Sequence, residues 1–230
     1  MKDFFVICDF NSNSFVRMLN SYSNDDYNFI GSEYNQVYQS LSSHKDFHAA
    51  IVWTRPEMVI PSFSQAINLK HMNIEDCMEE VDGFADSIIK MSKNVSYILT
   101  PSWTYNLEDQ IYGMLDWDND LGFKNILSRM NLRLIDRLKH SKNIYVIDSG
   151  KWFFKVENPY SPKMWYAAKV PYSNKLFSES TKDIISSIKG VEGLSKKLIV
   201  LDLDNTLWGG VVGENGWEGI TLGGHDFKGE

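Results

Sequence analysis

The stretch FFVICDFN, Phe4 to Asn11, sets the fold. Its apolar residues run from Phe4 to Cys8 without a polar interruption, the mark of a strand buried on both faces, as in a parallel sheet. Asp9, Phe10 and Asn11 close it, and Ser12 to Leu19 reads as a helix. The pattern then recurs. Strands are expected at Tyr27–Ile30, Ala49–Trp53, Val95–Leu99 (ended by Thr100 and Pro101) and Ile144–Ile147, which Asp148 closes. Helices fit around Glu33–Leu41, Asn73–Met91, Leu121–Leu138 and Lys175–Ile188. In the longest of these, Met78, Val81, Phe84, Ala85, Ile88 and Ile89 fall on one face at helical spacing. Strand–helix alternation with short connections predicts an α/β fold built on a doubly wound parallel sheet. There is no internal repeat and no low-complexity tract.

Composition narrows the function classes. Among 230 residues, 43% are hydrophobic and 13% aromatic, enough for a sizeable core. A net charge of −7 argues against a nucleic-acid partner, which needs a clustered basic face. Arg129, Arg133 and Arg137 repeat at four-residue spacing and read as a solvated helix face. The only cysteines, Cys8 and Cys77, have no metal-like spacing and are expected to be reduced and at least half-buried. The amino terminus is charged too early for a signal peptide, and no apolar run approaches ~18 residues. The expectation is a cytoplasmic protein with no membrane partner.

A second stretch carries chemistry: KKLIVLDLDNTLWGGVVGENGWEGITLGG, Lys196 to Gly224. Leu198 to Leu201 reads as a sixth buried strand, with Asp202 and Asp204 at its carboxyl end, where open α/β sheets place ligands. Two carboxylates at this spacing can share the work of phosphoryl transfer, one attacking phosphorus and the other exchanging protons with the leaving group. They equally suit a strand cap that binds water.

The flanking residues favour the first reading. The pattern resembles the DxDx[TV] motif of the haloacid dehalogenase superfamily. Asn205, Leu207, Trp208, Gly209, Gly210, Gly213, Glu214, Gly216, Gly219 and Ile220 are similar to its subfamily IIIC, typified by FkbH-like proteins. Lys163 to Phe177 resembles the segment joining the two domains in that family. The resemblance implies residues 1–193 as an SGNH-like or flavodoxin-like domain. It implies 194–230 as the first strand and flap of a HAD-like Rossmannoid domain. Asp202 would be the nucleophile and a Mg²⁺ ligand. Asp204 would be the general acid/base, with its backbone carbonyl on the metal, and Thr206 and Asn205 would shape the loop against substrate. Mg²⁺ suits such hard oxygen ligands. The implied substrate is a phosphorylated small molecule, and FkbH-like relatives pass a glyceryl unit to an acyl carrier protein. Neither cysteine lies near the motif, and Leu198 stands where glyceryl-transferring relatives carry one.

The superfamily's later elements are a Ser or Thr, a Lys and a further acidic pair. The residues after Asp204 do not supply them, so the chain reads as the front portion of a longer protein, inactive alone and poorly ordered beyond about residue 195. The competing reading is a recognition or dimerisation domain that docks a carrier protein.

SGNH hydrolases, which the amino-terminal region resembles weakly, carry a nucleophilic Ser just after the first strand. Here Phe10 stands in that turn, and the late Asp-x-x-His pair is missing, so esterase activity is not expected. Asn11, Ser12, Thr54, Arg55, Thr100, Ser102 and Asp148 stand at strand ends, where they suit either a cleft lining or ordinary caps and turns. Asp116 to Asp120 lacks the glycine and distal Glu of a calcium loop and reads as a solvated lead into the next helix, capped by Asn119 or Asp120. His44 and His48 lack a third zinc ligand. Trp165, Tyr166, Trp208 and Trp217 read as packing groups.

Overall fold

The computed structural model describes residues 1–23, 26–43, 46–67, 73–105, 113–119, 122–196, 198 and 200–222. They fall into two units, Met1–Ile188 and Lys189–Glu230.

In the first unit β1 (Lys2–Cys8), α1 (Asn13–Tyr22), β2 (Tyr27–Gly31), α2 (Val37–Leu41) and β3 (Ala49–Trp53) follow in chain order. The short helices α3 (Pro56–Val59) and α4 (Pro61–Ile67) lead to the long α5 (Ile74–Ser92), then β4 (Tyr97–Pro101), α6 (Phe123–Leu138) and β5 (Ile144–Ile147). The last helices are α7 (Gly150–Lys155), α8 (Pro162–Ala168) and α9 (Asn174–Val191), whose final turn belongs to the second unit. The strands form one sheet in the order β2-β1-β3-β4-β5, and every pairing is parallel. The sheet is doubly wound, the fold class expected from the sequence, with the chain reversing direction across the sheet between β1 and β3.

Strand alternation explains why these runs are apolar throughout. Phe5, Ile7, Ala50, Val52 and Ile98 join one core with Val81, Phe84, Ala85 and Ile88 of α5 and Ile126, Met130 and Leu134 of α6. On the other face Trp53 meets the rings of Phe15 from α1, Trp152 from α7 and Phe177 from α9 at centroid distances of 5.1, 5.3 and 5.9 Å. Residues facing both helical layers must all be apolar, which is the pattern seen in the sequence.

Some boundaries move. The expected helix from Glu33 begins at Val37, because Asn35 takes a left-handed φ of 59° that breaks helical continuity. β4 continues through Pro101: its register with β3 ends at Leu99, so the missing N–H of proline falls where β4 pairs with β5 alone. Asn119 does not head α6. Its cap is Gly122, and the Asp116 carbonyl accepts the amides of Lys124 and Asn125. Asp120, Leu121, His44, His71 and His225 lie outside the described residues. Pro56, Pro61 and Pro162 each open a short helix that the strand–helix reading did not include. Both cysteines are buried free thiols. No helix among the described residues is long and apolar enough to cross a membrane.

The second unit departs from expectation at its start. The described residues of the anticipated strand, Leu198, Val200 and Leu201, adopt no strand and are 77%, 84% and 52% exposed. Ile199 lies outside the described residues. A strand is stabilised by its pairing neighbour, and no described residue pairs with this run. Beyond it, β6 (Trp208–Gly209) and β7 (Thr221–Leu222) pair antiparallel around α10 (Val212–Asn215). Ile51 is wholly buried in β3 between two strands and two layers. Ile51→Ala is therefore expected to lower unfolding free energy by about 2–5 kcal/mol, read from urea denaturation.

Candidate functional site

Asp9 follows β1 and Arg55 follows β3, so the two face each other where the sheet order reverses, the usual ligand position in such folds. Asp9 has no solvent exposure. Its Oδ1 accepts the backbone N–H of Arg55 at 2.7 Å and its Oδ2 accepts Arg55 Nε at 2.8 Å. Nη2 lies 2.7 Å from the same Oδ2, an ion-pair contact without hydrogen-bond alignment. Burial pushes the Asp9 carboxyl above the usual carboxylate range, against the pull of the guanidinium. Burial also disfavours the Arg55 charge, but Asp9 and Glu57 outweigh it and hold the guanidinium above its ordinary pKa.

Arg55 reaches further. Its guanidinium carbon sits 3.9 Å from the ring centroid of Trp165 on α8, and Nη1 is 3.4 Å from Glu57 Oε1. Around it opens a cavity of about 330 Å³ lined by Arg55, Glu57, Thr104, Tyr105, Tyr160, Trp165, Tyr166 and Tyr172, with Ile67, Pro162 and Pro171. Tyr172 is itself buried and stacks on Trp53 at 5.1 Å, and burial pushes its phenol well above the usual value.

Of the strand-end residues anticipated as a cleft lining, Arg55 alone lines this cavity. Thr54 Oγ1 accepts Trp103 Nε1, Thr100 Oγ1 donates to the Val52 carbonyl, and Ser102 latches onto Ser149. Asp148 accepts the Gly150 amide, Asn11 accepts the Asn13 amide, and the Ser12 carbonyl accepts Val16 N–H at the start of α1. These are caps and ties. Phe10 is 1% exposed and packs on Trp53 and Tyr172, so a core ring fills the turn after β1. Nothing in the sequence pattern marks Glu57, Tyr160 or Tyr172, and Trp165 and Tyr166 line the cavity although their pattern suits packing groups. Their signal is the aromatic density of Tyr160 to Tyr172, and only the fold brings that segment beside Arg55.

In the second unit Asp202 is exposed and its Oδ1 accepts the amide of Leu203. Asp204 is half-buried, and its Oδ1 accepts the indole N–H of Trp208 at 3.0 Å and the amide of Val212 at 3.2 Å. Asn205 adopts φ 56° and closes the loop through Gly210: its N–H donates to the Gly210 carbonyl and its Oδ1 accepts the Gly210 amide at 2.9 Å. Gly210 has φ 104°, a conformation that favours glycine. Thr206 is exposed, and its amide donates to the Leu203 carbonyl. The oxygen ligands here suit Mg²⁺ in kind. The described residues nevertheless contain no group of three or more His, Cys, Asp or Glu side chains able to hold a metal.

The fold thus defines a doubly wound α/β domain followed by a small acidic loop unit. No protein-family model matches the sequence, and no curated protein matches it. Among solved structures, the whole chain is similar to the N-terminal part of the protein BF1531 from Bacteroides fragilis, which contains a phosphatase domain and was solved in complex with Mg. The TM-score is 0.76 at 20% identity, and the chain spans 62% of that structure. A further likeness, over 81% of this chain and 55% of the other, is to the salicylyl-acyltransferase SsfX3 from a tetracycline biosynthetic pathway, with TM-score 0.51 and 10% identity. A GDSL-like lipase from Bacteroides thetaiotaomicron, covered to 88% by 82% of this chain, gives 0.47 at 11% identity, too faint to weigh. At these identities the likeness is one of fold.

The buried pair gives a direct test. Asp9→Ala leaves the Arg55 charge largely buried and without its main partner, and is expected to cost about 3–5 kcal/mol of stability in denaturant unfolding. Asp82 pairs with the exposed Arg133, and Asp82→Ala is expected to cost much less.

Proposed function

We propose that this chain is the amino-terminal part of an FkbH-like protein of the haloacid dehalogenase superfamily, subfamily IIIC, whose activity is Mg²⁺-dependent phosphoryl chemistry. One observation carries the reading. The whole chain shares its fold with a fragment that contains a phosphatase domain and was solved with Mg, and the motif Asp202-Leu203-Asp204-Asn205-Thr206 falls in the acidic loop unit.

In this scheme an oxygen of Asp202 attacks phosphorus, the bond to the leaving oxygen breaks, and that oxygen takes a proton from Asp204. Water then attacks the aspartyl-phosphate, Asp204 takes the water's proton, and phosphate departs. Trp208 and Val212 both donate to Oδ1 of Asp204, which leaves Oδ2 to carry the proton. Asp202 and the Asp204 carbonyl are the groups that would hold Mg²⁺, which neutralises charge on the phosphoryl group when bound. Thr206 and Asn205 would steady the loop against substrate. Thioester chemistry with an acyl carrier protein draws less support, because the Cys8 and Cys77 thiols are both buried. Burial lifts the pKa of both, that of Cys77 to about 12, which opposes thiolate formation.

The test is hydrolysis of p-nitrophenyl phosphate with Mg²⁺ by the full-length natural protein that carries these residues. Asp202→Asn is expected to abolish turnover, and Asp204→Asn to lower kcat by about 10²–10⁴-fold. Hydrolysis that survives Asp202→Asn would refute the nucleophile assignment.

A further inference from the structure

We propose that the cavity between Arg55, Glu57 and the aromatic residues of the Tyr160–Tyr172 segment binds a neutral hydroxylated ring, a monosaccharide unit, without reacting with it. This goes beyond the phosphoryl chemistry proposed for the second unit and stands on different residues. The position is the first support: the cavity opens beside the β1/β3 crossover, where Asp9 and Arg55 face each other across the reversal of strand order. Its size is the second, since about 330 Å³ lies within the range of small-ligand sites and holds a single ring.

Charge then selects among ligands. The guanidinium of Arg55 is committed inside the protein, because Asp9 takes its Nε and lies against Nη2. Glu57 adds a carboxylate to the lining beside Arg55. A phosphate or carboxylate would meet Glu57 and a guanidinium already neutralised. Ligand anions are disfavoured.

What the lining offers is a donor beside an acceptor. Arg55 Nη1 and Glu57 Oε1 stand 3.4 Å apart. One hydroxyl of a vicinal pair can accept from Nη1 while its neighbour donates to the carboxylate, which has lone pairs enough for several donors. The apolar C–H face of a ring can then lie on the aromatic walls, of which Tyr166 is 82% exposed and open to contact. Chemistry on the ligand is not provided for. Phe10 fills the nucleophile turn, and Ser102 and Ser149 are tied to each other.

The experiment is calorimetric titration of the 230-residue chain with a panel of methyl pyranosides, with glucose 6-phosphate and inorganic phosphate as controls. At least one methyl pyranoside is expected to bind, and glucose 6-phosphate to bind at least about tenfold more weakly than methyl glucoside. Glu57→Gln and Tyr166→Ala are each expected to weaken glycoside binding by about tenfold. Tyr166→Ala should leave the thermal unfolding midpoint unchanged, since that side chain is mostly in solvent. The proposal is overturned if no pyranoside binds, if the phosphorylated sugar binds more tightly, or if both variants bind as the parent does.

Discussion

A carboxylate with no access to water has to find a cation, and Asp9 finds it across the sheet. The strand that delivers Asp9 and the strand that precedes Arg55 are neighbours in register, Cys8 opposite Trp53. Asp9, one residue past Cys8, accepts the backbone N–H of Arg55, two residues past Trp53. The pair closes the sheet at its crossover and holds the guanidinium against Trp165 of α8. The strands, the ion pair and the aromatic segment of α8 are thus connected through one arginine. Replacing such a pair by apolar groups is often neutral, whereas removing one member leaves a buried charge, so both must be retained together.

The surrounding apolar structure explains why the turn after β1 holds Phe10. Phe10, Phe15, Trp53, Trp152, Tyr172 and Phe177 form a continuous aromatic packing on one face. Phe10 belongs to it because Asp9 and Asn11 fix the turn on either side, through Arg55 and through the Lys169 carbonyl. A small nucleophile at that position would lose those ring contacts and leave a void beside Trp53. The turn after β1 serves the core, and Arg55 and Glu57 bring charge to the cavity.

The second unit is organised by hydrogen bonds, with little apolar burial. Asp204 gathers the indole of Trp208 and the amide of Val212, and Asn205 closes on Gly210, so the acidic loop has a defined shape although the described residues of the segment before it form no strand. Local side-chain-to-backbone bonds need only a few residues, whereas a buried strand needs partners on either side. That difference separates the part of the motif that takes its shape locally from the part that does not.

The amino-acid pattern alone determined the parallel sheet, since only strands covered on both faces read as unbroken runs such as FFVIC and AAIVW. It also determined the buried face of α5. Tertiary structure decided what those rules leave open: that Thr54, Thr100 and Ser102 are ties and only Arg55 faces a cavity, that Trp165 and Tyr166 line it, and that Leu198 to Leu201 yields no strand among its described residues. The reason is physical. Periodicity records which face of an element meets apolar surroundings, but a site or a strand pairing depends on which distant segments share an edge, and that is fixed only when the chain closes on itself.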